Sequence, residues 1–177
     1  MIRARLVGLG LGAGLLLANS SRTPSRTGFK AINHVGIATS DIERSIRFYR
    51  DLLGMELLGQ VTQVDDNALY NHIFGLQKVQ AKGAMLRLGD MQLELWQFQR
   101  PRGKVTDPMQ PVNDPRINHI CFEVADLQKE YERLKAAGIS FHYPPQDFGG
   151  PRAVYGRDPD GNVFELIELP QKGDKGG

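Results

Sequence analysis

The tripeptide Ile-Asn-His occurs twice, at Ile32-Asn33-His34 and at Ile117-Asn118-His119, each time with an Asp seven residues after the His, Asp41 and Asp126. The two copies also continue alike. An apolar, β-like stretch leads into a helical pattern. The first helix is expected to begin at Ser40 or Asp41, with Glu43 placed for a capping box. Ile42, Ile46, Tyr49 and Leu53 fall on one face, and Gly54 is a stop. The second begins at Asp126, carries Leu127, Tyr131, Leu134 and Ala137 on one face, and stops at Gly138. Each unit then ends as strand, turn and strand, Ala84 to Leu95 in one and Ala153 to Leu166 in the other, with a Glu amid apolar residues in the last strand. The repeat predicts strand–helix–three strands, twice.

These limits place module one at 30–98, a linker at 99–115 with Pro101, Pro108, Pro111 and Pro115, module two at 116–170 and a tail at 171–177. Module one is the longer between its His and its Glu. The excess falls in 62–78, where Asp65 to Phe74 suits a short helix over the site. Near the end of module two, Asp158-Pro159-Asp160-Gly161 suits a type I turn. In the strand after it, Val163, Glu165 and Ile167 share one face, and Phe164, Leu166 and Glu168 the other. Glu165 therefore lies within an apolar strand, where a carboxylate needs an ion-pair partner or a metal.

With 177 residues, 41% hydrophobic and 24% charged, the chain has the composition of an ordinary globular protein. Arg3 and Arg5 account for the whole of its +2 net charge, so nothing in the remainder points to nucleic acid or an anionic membrane. The single cysteine, Cys121, excludes an internal disulfide and any paired-cysteine zinc site. Residues 1–20 are basic, then apolar from Leu6 to Leu17, then small at Ala18 to Ser20, the pattern of a secretory signal peptide. Cleavage after Ser20 would leave no membrane span, and 21–29 would be a flexible lead-in. Export, periplasmic or secreted, is the expectation, and a mature terminus near Ser21 is its measurable consequence. An organellar transit peptide or a membrane tether is the alternative. A buried N-terminal helix fits poorly, because the segment has glycines and no polar face.

Each repeat supplies one His early in its first strand and one Glu in its last: His34 and Glu94, His119 and Glu165. Alternation puts His119, Cys121 and Glu123 opposite Ile120, Phe122 and Val124. His34 likewise opposes Val35 and Ile37, and Glu94 opposes Leu93 and Leu95. Singly, a strand His is more often a hydrogen-bonded core residue, and a strand Glu is usually solvated. Together, at equivalent positions of a repeat, two imidazoles and two carboxylates suit one divalent ion (Zn, Ni, Co, Mn or Fe) with positions left for water or substrate. His72 and His142 have no repeat counterpart and read as surface or pocket residues.

Four stretches carry a more specific resemblance: Asn33-His34-Val35-Gly36, Phe48 to Met55, Asn118-His119, and Asp158 to Asn162 leading to Glu165. On these, residues 31–169 resemble the vicinal oxygen chelate superfamily, which includes glyoxalase I, methylmalonyl-CoA epimerase, extradiol dioxygenases and the bleomycin- and fosfomycin-resistance proteins. The resemblance implies an α+β fold of two βαβββ modules whose sheets curl into a cup around the metal. It implies that His34, Glu94, His119 and Glu165 are the ligands of a glyoxalase I-like centre, with the site closed either within one chain or across a homodimer.

On that resemblance the reaction is a metal-dependent lyase or isomerase step, in which a chelated small molecule exchanges a proton α to its carbonyl. Glu165 matches the position of the catalytic base, and Glu94 is the second carboxylate of the catalytic pair. Tyr155 and Cys121 are expected in the substrate pocket. Lactoylglutathione lyase activity fits export poorly, since little glutathione is met there, and no glutathione-binding signature stands in the sequence. An extradiol dioxygenase is the alternative enzyme, with His34, His119 and Glu165 on Fe(II) and Tyr155 ten residues before the Glu. Against it, Glu94 has no ligand role there, and no His lies near residue 104. A metal-free binding protein of the resistance type is the remaining alternative, and the intact four positions argue against it.

Overall fold

The computed structural model describes residues 28–104 and 107–171. The expected signal peptide, most of the lead-in and most of the tail lie outside the described residues. The chain divides into two units, Met1–Ala31, whose described residues carry no helix or strand, and Ile32–Gly177, which holds both repeats. No described helix is long and apolar enough to cross a membrane.

The first repeat forms β1 (His34–Ala38), α1 (Ile42–Ile46), β2 (Glu56–Asp65), α2 (Ala68–Phe74), β3 (Gln80–Leu88) and β4 (Met91–Arg100). The second forms β5 (His119–Glu123), α3 (Leu127–Ala136), β6 (Gln146–Asp147), β7 (Arg152–Arg157) and β8 (Val163–Glu168). Each makes a four-stranded mixed sheet, in the orders β1-β4-β3-β2 and β5-β8-β7-β6. The first strand of each repeat runs parallel to the last, and the others are antiparallel. This is the expected α+β architecture of two βαβββ units, with the extra helix α2 in the segment assigned to it. The linker is shorter at its start than predicted, because β4 continues to Arg100.

Both main helices start on aspartate caps. Asp41 accepts from the Arg44 N–H and Asp126 from the Lys129 N–H, satisfying amides that the first turn leaves free. With Asp41 as the cap, Glu43 is one position too early for a capping box, and that expectation is corrected. After α1 the chain widens into a π-helical segment, Arg47–Leu52. Regular α-helical spacing separates consecutive residues around the axis, yet Phe48 and Tyr49 are both buried. The wider turn accompanies that double burial and ends at Gly54, whose φ of 76° suits glycine.

The helices of both repeats bury their apolar faces against one shared core. Ile42, Ile46, Phe48 and Tyr49 join Leu127, Tyr131 and Leu134 there. Leu86, Leu93 and Leu95 come from one sheet, and Val154, Phe164 and Leu166 from the other. Phe164 bridges the halves, with its ring 5.6 Å from that of Phe48 and 5.9 Å from that of Phe141. Burying such a side chain contributes roughly 1.5–3 kcal/mol.

The turn Asp158–Gly161 fastens one repeat to the other. The Gly161 N–H closes it onto the Asp158 carbonyl at 3.0 Å, as expected of the Asp-Pro-Asp-Gly sequence. Asp160 then reaches the start of α1, accepting from the hydroxyls of Thr39 and Ser40, the Ser40 N–H, and Arg44 Nη2 at 2.9 Å. Tyr49 donates to Asp158 at 2.8 Å from the same helical stretch. A Cβ on Gly161 would collide with the Pro108 carbonyl, so the linker packs where only glycine fits.

Candidate functional site

Strand alternation decides which residues face the helices and which do not. In β4, Leu93 and Leu95 lie in the helix-covered core, so Glu94, Trp96 and Phe98 occupy the opposite face. In β8, Phe164 and Leu166 are core, and Glu165 is on the other side. Each Glu stands across the parallel ladder from the residue two after its repeat's His. Gly36 opposes Glu94, and Cys121 opposes Glu165. That register brings each His ring over its own repeat's carboxylate. His34 Nε2 lies 3.6 Å from Glu94 Oε2, and His119 Nε2 lies 3.1 Å from Glu165 Oε2.

Two donors on one ion at about 2.1 Å each stand roughly 3.0–3.4 Å apart in octahedral or tetrahedral geometry. The His119–Glu165 distance of 3.1 Å falls within that window and the His34–Glu94 distance of 3.6 Å lies just outside it; imidazole with carboxylate is a donor set for first-row metals. The four residues do not converge within the chain. Among the described residues, no three of His, Cys, Asp and Glu gather as a metal-holding group. Within one chain the four expected ligands stand as two separate pairs, one half-site per repeat.

The half-sites share a detail at the imidazole's other nitrogen. Nδ1 of His34 lies 2.8 Å from Asn33 Oδ1, and Nδ1 of His119 bonds Asn118 Oδ1. They differ in their surroundings. Around His119 stands the Tyr155 ring, 4.9 Å away between centroids, with its hydroxyl 3.4 Å from Nδ1. Burial, then the charges of Glu165 and Cys121, push the Tyr155 phenol up. Cys121 lies beside Glu165. Burial, then its hydrogen bond to that carboxylate, raises the thiol to about 12, so it is protonated at neutral pH. Trp96 and Phe98 share the strand face of Glu94. Trp96 and Phe98 are covered by Tyr70 and Phe74 of α2, with the Phe74 ring 5.0 Å from Trp96 and 5.1 Å from Phe98. His72 is exposed on α2. His142 is half-buried behind Tyr155; its Nε2 has no hydrogen-bond partner among the described residues, and its pKa is lowered by burial and then by Arg157.

The aromatic cluster was readable from the alternation Glu94-x-Trp96-x-Phe98, once Leu93 and Leu95 are assigned to the core. The contact of Asp160 with α1 had no signal in its own neighbourhood.

A family model described as the glyoxalase/bleomycin resistance protein/dioxygenase superfamily matches residues 31–166. The chain belongs to this superfamily. It is 30% identical over 151 residues to a lactoylglutathione lyase of Pseudomonas aeruginosa, covering 81% of this chain and 85% of that one. It is also 30% identical to a 2-epi-5-epi-valiolone epimerase of Actinomyces, with 81% of each chain covered. A glyoxalase family protein of Bacillus cereus has the same fold, with a TM-score of 0.75 at 22% identity over 84% of this chain and 99% of that one. The superfamily's relatives thus include lyases and epimerases by name, and the similarity is to enzymes of more than one reaction.

Proposed function

We propose that the protein is a metal-dependent lyase or isomerase that binds a small molecule through neighbouring oxygens and moves a proton α to a carbonyl. The observation that carries this is the duplicated His–Glu pair, at 3.1 Å in the second repeat and 3.6 Å in the first. A bound divalent ion supplies Lewis acidity to the chelated oxygens. Glu165 is the base that takes and returns the proton, and Glu94 holds the opposing carboxylate position. The names of the lyase and epimerase relatives support chemistry of this class.

The centre is completed by a second copy of the chain. Among the described residues, β1 and β5 each pair on one side only, with β4 and β8. Their outer edges carry unused backbone groups, an arrangement that invites another strand. The isoleucines at their thresholds, Ile32 and Ile117, are 77% and 81% exposed. Both edges line an open groove of about 880 Å³. Setting β1 of one copy beside β5 of another joins His34 and Glu94 to the second copy's His119 and Glu165, giving two centres per dimer.

Subunit mixing tests this. His34→Ala and His119→Ala chains should each lose most of their metal. Co-expressed, they form mixed dimers in half of the cases, each with one centre intact, so about a quarter of wild-type metal should return. No recovery would place the centre within one chain. Full metal in both single variants would remove the metal reading altogether.

A further inference from the structure

We infer that Met85 and Leu58 set the substrate class: an α-hydroxy or α-oxo carbonyl compound whose substituent is compact, uncharged and apolar, of short branched alkyl or phenyl size. This rests on the reading of Glu94 as part of the reacting centre. In an antiparallel ladder, residues directly opposite one another share a face. Met85 lies opposite Glu94, and Leu58 lies opposite Met85. A stripe of Glu94, Met85 and Leu58 therefore crosses the sheet on the face opposite the shared core, which takes Leu86, Leu93 and Leu95. With strands about 4.8 Å apart, Met85 and Leu58 stand roughly 5 and 10 Å from Glu94 along that stripe.

Both side chains are half-buried, and neither belongs to the shared core or to the aromatic cluster beneath α2. Packing among the described residues thus gives no reason for two apolar side chains in line with a carboxylate. A guest held at Glu94 gives one, because its substituent would cover them. The neighbouring rows bound this seat. On one side the row is Gln92, Arg87 and Glu56, with Arg87 Nη2 2.6 Å from Glu56 Oε2. That cation is engaged, so a carboxylate or phosphate tail finds no free partner in the row. On the other side the Trp96 indole stands over Gly83 and forms a wall. An apolar stripe two strand spacings long, roughly 10 Å, takes a phenyl ring or a short branched chain and not a long charged carrier.

The equivalent row of the second repeat is polar. Tyr155 lies opposite Glu165, in the place that Met85 holds opposite Glu94, and Cys121 flanks the same carboxylate from β5. Hydroxyl and carbonyl oxygens suit the Tyr155 row, and the substituent suits the Met85 row. Each row draws on one repeat alone, so the character of the seat does not depend on which sheet lies across from it.

The experiment is calorimetric titration of the full chain, with and without zinc, by three hydroxamic acids that chelate through two neighbouring oxygens: benzohydroxamic, acetohydroxamic and succinic monohydroxamic. On the zinc-loaded wild type the phenyl compound should bind about tenfold tighter than the methyl compound, as partial burial of a ring would give. The succinyl compound should gain nothing over the methyl one. Met85→Gln, which keeps the length and adds polarity, should reduce the phenyl preference to about twofold and leave acetohydroxamate affinity unchanged. Met85→Leu should keep the preference. Carbon-13 NMR of labelled methionine methyls reads the seat without metal. The Met85 resonance, assigned by its loss in Met85→Leu, should shift with benzohydroxamate and not with acetohydroxamate. Zinc-dependent binding without a phenyl preference, a preference that survives Met85→Gln, or tighter binding of the succinyl compound would overturn the inference. Hydroxamate binding indifferent to zinc, with the Met85 methyl still moved by the phenyl compound, would keep the seat and remove the metal reading instead.

Discussion

Glu94 is the residue on which the enzyme readings part. It faces away from the core beside His34, as Glu165 does beside His119, so both carboxylates are placed alike. Glu94→Gln keeps an oxygen donor and removes one negative charge from the centre. In a four-donor lyase or isomerase, metal should largely remain while turnover falls at least tenfold. The readout is incorporation of solvent deuterium α to the carbonyl across a panel of small α-hydroxy and α-oxo carbonyl compounds. Mild loss, with activity that needs oxygen and drops in Tyr155→Phe, would favour ring cleavage. At this scale the sequence was informative: His34, Glu94, His119, Cys121 and Glu165 take the strand faces that alternation assigns them. Their division into two pairs was not legible, because periodicity specifies which face a side chain takes and says nothing about which sheet lies opposite.

At the scale of elements, α2 distinguishes the repeats, and its attachment depends on one glycine. Gly83 lies across the ladder from Trp96, and a Cβ there would stand 2.6 Å from the indole ring. The ring cannot yield without disturbing Tyr70 and Phe74 above it. Gly83→Ala should cost about 1–3 kcal/mol by overpacking. Trp96 is the single tryptophan, so its fluorescence should shift toward the red as α2 loosens. An unchanged spectrum and unfolding midpoint would show that the cluster tolerates the added methyl. The helix itself was readable from the excess length of module one. The π-helical widening at Arg47–Leu52 was not, since the sequence there fits an ordinary helix and the tertiary demand of Phe48 and Tyr49 is non-local.

For the molecule as a whole, the hold of Asp160 on α1 ties the repeats together and makes their union sensitive to acid. Burial alone would raise the Asp160 pKa. The bonds from Ser40 and Thr39 and the charge of Arg44 outweigh it, so the pKa falls below the ordinary 3.8. A carboxyl depressed on folding contributes stability that is complete above its unfolded pKa and lost as pH falls through its folded one. Asp158 acts in the opposite sense. Its burial outweighs the bonds from Asn162 and Tyr49 and raises its pKa, so its effect favours the folded state at low pH. Asp160→Asn isolates the first effect. Wild type should exceed the variant by about 1–3 kcal/mol at neutral pH, and the gap should close in strong acid. A gap independent of pH, measured by urea unfolding, would mean that the charge of Asp160 is not what joins the repeats.

The covering helix α2 has a further consequence, for handedness. A cup made of two like halves offers nearly the same donors to either end of a ligand, and a molecule turned end for end would fit almost as well. Only one half carries the aromatic wall of Trp96, Phe98, Tyr70 and Phe74; the other presents Tyr155 and Cys121. The two ends of a guest are thereby made unequal. In the proposed reaction, that inequality is what lets a nearly two-fold symmetric vessel choose one face of a flat intermediate and return its proton to a single mirror form.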